Sequence, residues 1–383
     1  MEKNAEKRGV RPLKIVMLGL KGLPVREDSG GVERHVEELA TRLAARGHDV
    51  SVYVRPRFTP TKEASYRGVR LLRLPSIPTK NLDTITHTLL ASLAVLFRPA
   101  DIVHYHGVGP ATLAWIPKLF KPRARIVVTF HSLDRFHPKW GRFARLYLRG
   151  GEWAAVRWPH ATIAVSRTLQ EYCRVRFGAA VEYIPNGASV NPYPGSDLLA
   201  KWGLEPGGYI LTVARLVRQK GIHHLIGAYD GFEKEKKLVV VGAAPFGGEY
   251  AEHIRRLSEG NSSIIFTGFQ SGAALRQLYA NAYLYVHPSE AEGLSVSILE
   301  AMAAGRCVLV SDIPENVESI DHSGLTFVNA DVDDLRAKIR MLLNHPEIVA
   351  ERGERARGWV AREYDWDRIT AATEALYGRL SPG

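Results

Sequence analysis

The stretch Tyr283-Leu-Tyr-Val-His287-Pro-Ser-Glu290-Ala-Glu292-Gly-Leu-Ser-Val-Ser-Ile-Leu-Glu300-Ala-Met-Ala-Ala-Gly305-Arg-Cys307-Val-Leu-Val-Ser311 decides the fold. Tyr283–His287 is rich in aromatic and β-branched side chains and reads as a strand; Pro288 and Gly293 break it. The apolar residues of 295–304 then recur at helical spacing until Gly305, and a second apolar run, Cys307–Ser311, follows. Strand, helix and strand in so short a span require a crossover connection, which makes the two strands parallel and buries both faces of their sheet.

The same alternation extends outward in both directions. The second half has strand-like runs at 209–214, 237–242, 263–267, 283–287, 307–311 and 325–328, with helical spacing near 222–230, 249–258, 273–281, 295–304 and 331–345. The first half has runs at 13–19, 49–54, 69–74, 101–105, 125–130, 161–165 and 181–184, with helices near 32–46, 83–97, 110–119, 141–157 and 167–176. Each half is predicted to be a doubly wound, Rossmann-like α/β unit. Pro, Gly and Ser concentrate in Ser189–Ser196 and Glu205–Gly208, which places a hinge near 188–208. The expected division is 1–188, a linker at 189–207, a second domain at 208–363, and a C-terminal helix in 364–383 that returns to the first domain. Open parallel sheets bind ligands beyond the carboxyl ends of their strands, so the cleft between the two units is the expected site.

With 383 residues, 45% hydrophobic and 24% charged, the chain is long enough for two buried cores and unlike a disordered or fibrous sequence. Cys173 and Cys307 have no nearby partner, which excludes a disulfide framework or thiolate metal centre and points to a reducing compartment. The charged start Met1–Arg8 lacks a signal-like apolar run, and the longest apolar stretch, Leu89–Phe97, is about half of what a bilayer crossing needs. A cytoplasmic protein is expected, resting peripherally on the inner face of the cell membrane. The net charge of +11 is concentrated in Trp115–Gly178, which holds thirteen Lys and Arg against three acids, together with Trp115, Trp140, Trp153 and Trp158. Two readings fit this stretch: a surface resting on anionic lipid, or an amphipathic helix at 142–149 whose apolar side is core and whose arginines are solvated. Nucleic acid is not the expected partner.

Three motifs carry chemistry. Gly19-Leu-Lys-Gly22 leads to Gly30-Gly31-Val-Glu, a glycine pair opening a helix, where free amides attract an anion. The spacing is not that of a dinucleotide fingerprint, which argues against nicotinamide. Arg215 and Lys220, five residues apart after the strand 209–214 and followed by Gly221, suit a loop folding around a diphosphate, whereas Arg218 is expected to be solvated. Glu292 and Glu300 invite comparison with the paired carboxylates of glycosidases, which stand about 5–9.5 Å apart. Eight helical residues span about 12 Å, better suited to gripping two parts of one long ligand, with the helix-start amides of Gly293 to Val296 between them.

Together with Ile77–Ile85, Val103-His-Tyr-His106-Gly, Lys139-Trp-Gly and Tyr183-Ile-Pro-Asn-Gly187, these motifs resemble the retaining glycosyltransferases of family four, and in detail a bacterial subfamily of polysaccharide-assembly transferases often labelled rhamnosyltransferases. The resemblance covers nearly the whole chain and implies the B-type fold (GT-B), two Rossmann-like domains facing across a cleft. It implies that Glu300 binds the nucleotide ribose and Glu292 the donor sugar. Arg215, Lys220 and the amides of Leu294, Ser295 and Val296 would hold the diphosphate, with Gly30 and Gly31 closing from the other domain. His131 would stand near the anomeric carbon; Asp134 and His106 are candidate acceptor contacts, while His104 is expected to be structural. No cofactor and no metal are implied. The donor is a nucleotide-diphosphate sugar, and the acceptor a lipid-linked or polysaccharide glycan. An epimerase or phosphorylase on the same fold, or a non-enzymatic basic binding protein, are the alternatives.

Overall fold

The computed structural model describes residues 11–27, 29–79, 82–136, 141–189, 195–244 and 248–381. Lys80 and Asn81 of the Ile77–Ile85 motif, the Lys139-Trp140 pair, and 190–194 of the expected hinge therefore lie outside the described residues. The first lobe contains strands β1 (Lys14–Leu18), β2 (Asp49–Val54), β3 (Ser65–Tyr66), β4 (Val69–Arg73), β5 (Ile102–His106), β6 (Arg125–Phe130), β7 (Ala161–Ala164) and β8 (Glu182–Tyr183). Its helices are α1 (Gly31–Ala45), α2 (Asp83–Ala94), α3 (Val108–Ala111), α4 (Trp115–Phe120), α5 (Arg142–Arg157) and α6 (Arg167–Phe177). The second lobe contains β9 (Tyr209–Val213), β10 (Lys237–Val241), β11 (Ile264–Gly268), β12 (Leu284–His287), β13 (Cys307–Ser311) and β14 (Leu325–Phe327). Between and after them run α7 (Ile222–Tyr229), α8 (Glu249–Leu257), α9 (Gly272–Ala280), α10 (Val296–Ala303), α11 (Pro314–Ile320), α12 (Val332–Asn344), α13 (Pro346–Glu363) and α14 (Trp366–Leu380).

The sheets are ordered β3-β4-β2-β1-β5-β6-β7-β8 and β11-β10-β9-β12-β13-β14. Among the described residues only β3 and β4 pair antiparallel. The strand order reverses direction between β1 and β5 in one sheet and between β9 and β12 in the other, so each sheet has its switch-point crevice there. Gly19 leaves β1 and Arg215 leaves β9 at those crevices. The central strands are buried on both faces, as expected of a sheet covered by helices, while the edge strands β3, β8 and β11 are not.

Three departures from the sequence reading have local causes. The helix expected at 110–119 is split into α3 and α4, because Pro117 has no N–H for the carbonyl of Leu113, which instead accepts from Ile116. Unforeseen α13 buries only Val349, Gly353, Ala356 and Val360, a seam of mostly small residues without the large apolar side chains that announce a helix. In α5 the residues facing the core are Leu148, Gly151, Glu152, Ala154 and Ala155, while Phe143, Leu146, Tyr147 and Trp153 face outward. A methyl group on Gly151 would lie 2.4 Å from the Val108 carbonyl oxygen, so α5 is held too close to α3 for aromatic side chains to fit between them. The packing alternative is thereby corrected for Phe143, Leu146, Tyr147 and Trp153, which are not core; Arg142, Arg145 and Arg149 are exposed as it expects, and Trp158 packs against the core.

The last helix belongs to the first lobe. Trp366, Ile369, Leu376 and Tyr377 of α14 share one buried cluster with Ile15, Val36, Leu39 and Val52. Ala188 donates its amide to the Tyr364 carbonyl at 2.8 Å, joining the chain leaving the first lobe to the chain returning to it. Both cysteines are buried free thiols. Among the described residues no helix is long and apolar enough to cross a membrane.

Candidate active site

The two switch-point crevices face each other across a cavity of about 1680 Å³. Its wall from the second lobe is built around Gly221. This residue has φ +61°, and a methyl there would stand 1.8 Å from the Pro288 carbonyl oxygen, so only glycine lets the β9–α7 loop lie on the loop after β12. That contact brings Lys220 to Glu292, and the two form an ion pair. The Glu290 amide donates to the Gln219 carbonyl at 2.8 Å and fixes the same register. His287 Nε2 stands 2.7 Å from Glu292 Oε1, and the Tyr285 hydroxyl 3.1 Å from His287 Nδ1. Burial disfavours the Glu292 charge, yet the Lys220 ammonium and the His287 ring together hold its carboxyl well below the usual carboxylate range.

Helix α10 starts at Val296, and its amino end, with Glu292, Gly293, Leu294 and Ser295, lines the cavity. Glu300, one turn further in, accepts from Arg34 Nη2 of α1 at 3.1 Å across the lobes. Burial opposes the Arg34 charge, but Glu300, Glu38 and Glu37 raise its pKa further above the ordinary arginine value. Phe269, Gln270 and Tyr279 form the far end of this wall.

The opposite wall begins with the glycine pair. Gly30 caps α1, and its amide donates to Glu33 Oε2 at 2.7 Å, while Glu33 Oε1 accepts from the Lys21 amide at 3.0 Å. Glu33 thus ties the loop after β1 to the helix start. A methyl on Gly30 would lie 3.6 Å from the Arg215 guanidinium carbon; one on Gly31 would meet nothing within 4 Å. The pair therefore faces Arg215 and open cavity.

His131 follows β6 and His106 ends β5, with His106 Nδ1 3.2 Å from His131 Nε2, so one ring donates to the other. His35 of α1 packs edge-on to His131 with ring centroids 4.9 Å apart and shares a 2.9 Å hydrogen bond with Asn186 Oδ1. Asn186 in turn donates to the Leu294 carbonyl at 2.8 Å, which accounts for the Ile-Pro-Asn-Gly motif as a joint between the lobes. Burial pushes His35 down to about 4, and burial with neighbouring imidazoles holds His106 and His131 well below the ordinary histidine value. All three rings are neutral at pH 7. His104 contacts the Tyr377 hydroxyl at 2.6 Å and Thr129 Oγ1 at 2.7 Å and is sealed from the cavity wall. Asp134 lines the cavity and accepts from the Ser132 hydroxyl at 2.7 Å. The lobes touch closely at Gly293, where a methyl would lie 1.9 Å from the His131 carbonyl oxygen.

The fold thus gathers Gly30, Gly31, His106, His131, Asp134, Arg215, Lys220, Glu292–Val296 and Glu300 around one cavity. Sequence reasoning misses Arg34, His35 and His287; each lies next to a quoted motif, but its partner is far away in sequence or on the neighbouring strand. No metal-type motif is visible along the chain; in the fold a ring nitrogen from each of His35, His106 and His131 lies within 4.8 Å of the others, and so do ring nitrogens of His223 and His224 and a carboxylate oxygen of Glu290. Neither group includes Lys220, Glu292 or Glu300.

Residues 29–191 match the family described as Glycosyltransferase Family 4, and residues 198–359 the family described as Glycosyl transferases group 1. A glycogen synthase of Mycobacterium tuberculosis is 26% identical over 403 residues, covering 95% of this chain and 94% of that one. A GDP-mannose-dependent α-(1-6)-phosphatidylinositol monomannoside mannosyltransferase of the same organism is 26% identical over 395 residues, covering 93% and 96%. Among solved structures, sucrose-phosphate synthase from Thermosynechococcus elongatus superposes with a TM-score of 0.81 at 22% identity, over 96% of this chain and 99% of that one. Anabaena HepE in complex with UDP-glucose does so with a TM-score of 0.76 at 21% identity, over 95% and 99%.

Proposed function

Given that this chain belongs to the family 4, group 1 glycosyltransferases and has their two-lobed GT-B fold, we propose that it is a retaining enzyme that moves a sugar from a nucleotide diphosphate to a lipid-linked or polysaccharide acceptor in bacterial cell-surface glycan synthesis. One observation carries the reading: Arg215, Lys220 and the amino end of α10 converge on a single cavity whose other wall holds His131 and the Gly30-Gly31 pair. The mannosyltransferase of similar sequence is named for GDP-mannose and a lipid acceptor, and HepE was solved with UDP-glucose; both support a nucleotide sugar as donor.

In this reading Glu300 holds the ribose and Glu292 the donor sugar. The departing diphosphate displaces the Lys220–Glu292 pairing, and Lys220, Arg215 and the helix-end amides, which carry roughly half a positive charge, stabilise it. The protein's own charges then suffice, without a metal. The acceptor oxygen attacks from the face that the phosphate leaves, so the anomeric configuration is kept. His131, neutral at pH 7 and positioned by His106, orients donor and acceptor, and Asp134 binds an acceptor hydroxyl. The basic stretch 115–178 brings the enzyme to an anionic membrane from the cytoplasmic side.

The test is thermal shift against UDP-, GDP-, ADP- and dTDP-sugars, followed by incubation of the stabilising labelled donor with a membrane extract and determination of the product anomer. Stabilisation by at least one donor and retention of its anomeric configuration are expected. Stabilisation by none would leave a basic binding protein as the better account.

A further inference from the structure

The outward face of α5 is an uncovered apolar feature outside the cleft. Phe143 is 90% exposed, Leu146 67% and Trp153 47%. With Trp115, Tyr147 and Trp158 they line a shallow groove of about 590 Å³. Phe143 and Tyr147 also line the large cavity, so one helix forms the boundary between groove and cleft. Tyr147 is anchored there by hydrogen bonds of its hydroxyl to Thr112 Oγ1 at 2.5 Å and the Gly109 carbonyl at 3.1 Å.

At 100° per residue α5 has three sides in order. Leu148, Gly151 and Ala155 face the core, and Ala144 with Leu148 borders the cleft. The stripe of Phe143, Leu146, Gly150 and Trp153 comes next, and Arg142, Arg145 and Arg149 close the circle. These three arginines are exposed and make no ion pair among the described residues. The stripe from Phe143 to Trp153 is about 15 Å long at helical rise. Helix α4 contributes Trp115, its first residue, to the groove lining. An apolar stripe bordered by unpaired arginines matches an amphiphile with an anionic head, and its continuity with the cavity matches one whose head is the reacting end.

We propose that the α5 groove holds the hydrocarbon chain of the acceptor, an anionic lipid whose phosphate lies against Arg142, Arg145 or Arg149 and whose terminal hydroxyl reaches past Phe143 and Tyr147 to His131. The proposal rests on the transferase reading of the cleft and selects the lipid-linked acceptor over free polysaccharide. A flexible chain fits a shallow groove floored by Gly150, and the arginines draw the same molecule from an anionic bilayer.

The test is calorimetric titration of the whole protein with n-alkyl phosphates of eight to fourteen carbons, in the presence and absence of UDP. Affinity should rise about threefold to fourfold for each added methylene until the groove is filled. Leu146→Ser and Trp153→Ser, both outside the cavity, should each weaken the longer phosphates at least tenfold and leave the UDP-induced thermal shift unchanged. Vesicles containing 30% phosphatidylglycerol should retain the wild type and release both variants. Binding that is independent of chain length while UDP still binds overturns the groove alone, as does an oligothymidylate that displaces the alkyl phosphate from it. Absence of any nucleotide-induced shift in the wild type overturns the transferase reading instead.

Discussion

Gly293→Ala is the most exacting perturbation the structure offers. The added methyl would lie 1.9 Å from the His131 carbonyl oxygen, 3.0 Å from its carbon and 3.2 Å from Ser132 Cβ. The first of these partners is backbone, at the end of a buried strand, and cannot swing aside. To restore a tolerable contact the two walls must separate by about 1 Å. The displaced parts are those that must meet in the proposed transfer: Gly293 leads into α10, proposed to hold the donor, and His131 stands on the wall proposed to receive the acceptor. A misplacement of about 1 Å costs on the order of 100-fold in a reaction that depends on positioning, or about 2.7 kcal/mol in the barrier. The clash lies between lobes and not within either core, so the melting temperature should fall by only a few degrees. Nucleotide affinity should stay within about threefold, because Arg215, Lys220 and Glu300 all remain together on the second lobe. The measurement is kcat/KM for transfer, beside nucleotide affinity and a thermal melt. A variant with wild-type kcat/KM would refute the claim that the two lobes react at the spacing seen here; a variant that loses nucleotide binding as well would refute the division of labour between them.

Lys220→Ala should lower kcat/KM by about 10- to 100-fold through loss of one charged phosphate contact, measured by steady-state transfer, whereas Arg218→Ala, exposed and outside the cavity, should not. Stability should fall as pH drops from about 6.5 toward 4. The depressed histidines, His35 at about 4, His104 at about 3, and His106 and His131 well below their ordinary value, stay neutral in the fold while their unfolded counterparts take up protons. Each contributes a slope of up to about 1.4 kcal/mol per pH unit in that window, read from denaturant midpoints; a flat profile between pH 7 and 5 would contradict the buried neutral rings. Tyr377→Phe removes the hydroxyl that meets His104 and should cost about 1–3 kcal/mol in urea unfolding. Exhaustive dialysis against a chelator should leave the transfer rate unchanged; a loss restored by added zinc or manganese would move catalysis onto a metal.

The parallel architecture is legible because buried parallel strands are uninterrupted apolar runs, and Val-Val-Val or Ile-Val-Val in this chain suits no other environment. The second-lobe wall is legible because Lys220-Gly221 and Glu292-Gly293 put a charged side chain beside a glycine just after a strand, although the backbone contacts that demand those glycines, with Pro288 and His131, are distant along the chain. What stays hidden depends on partners distant along the chain. Arg34 meets Glu300 across 266 positions, and His35 gains its meaning only from Asn186 and His131. Helix α5 shows a different limit. Its periodicity reveals an apolar face and a basic face, but the side on which the sheet lies is set by Gly151 against Val108, and this turns the aromatics outward.

The return of α14 to the first lobe has a consequence for biosynthesis. A nascent chain that has completed β8 still lacks Trp366, Ile369, Leu376 and Tyr377, so part of one face of its first sheet remains uncovered and His104 lacks the Tyr377 hydroxyl. The lobe begun first is thus completed only by the last helix, after every strand of the other lobe has been synthesised.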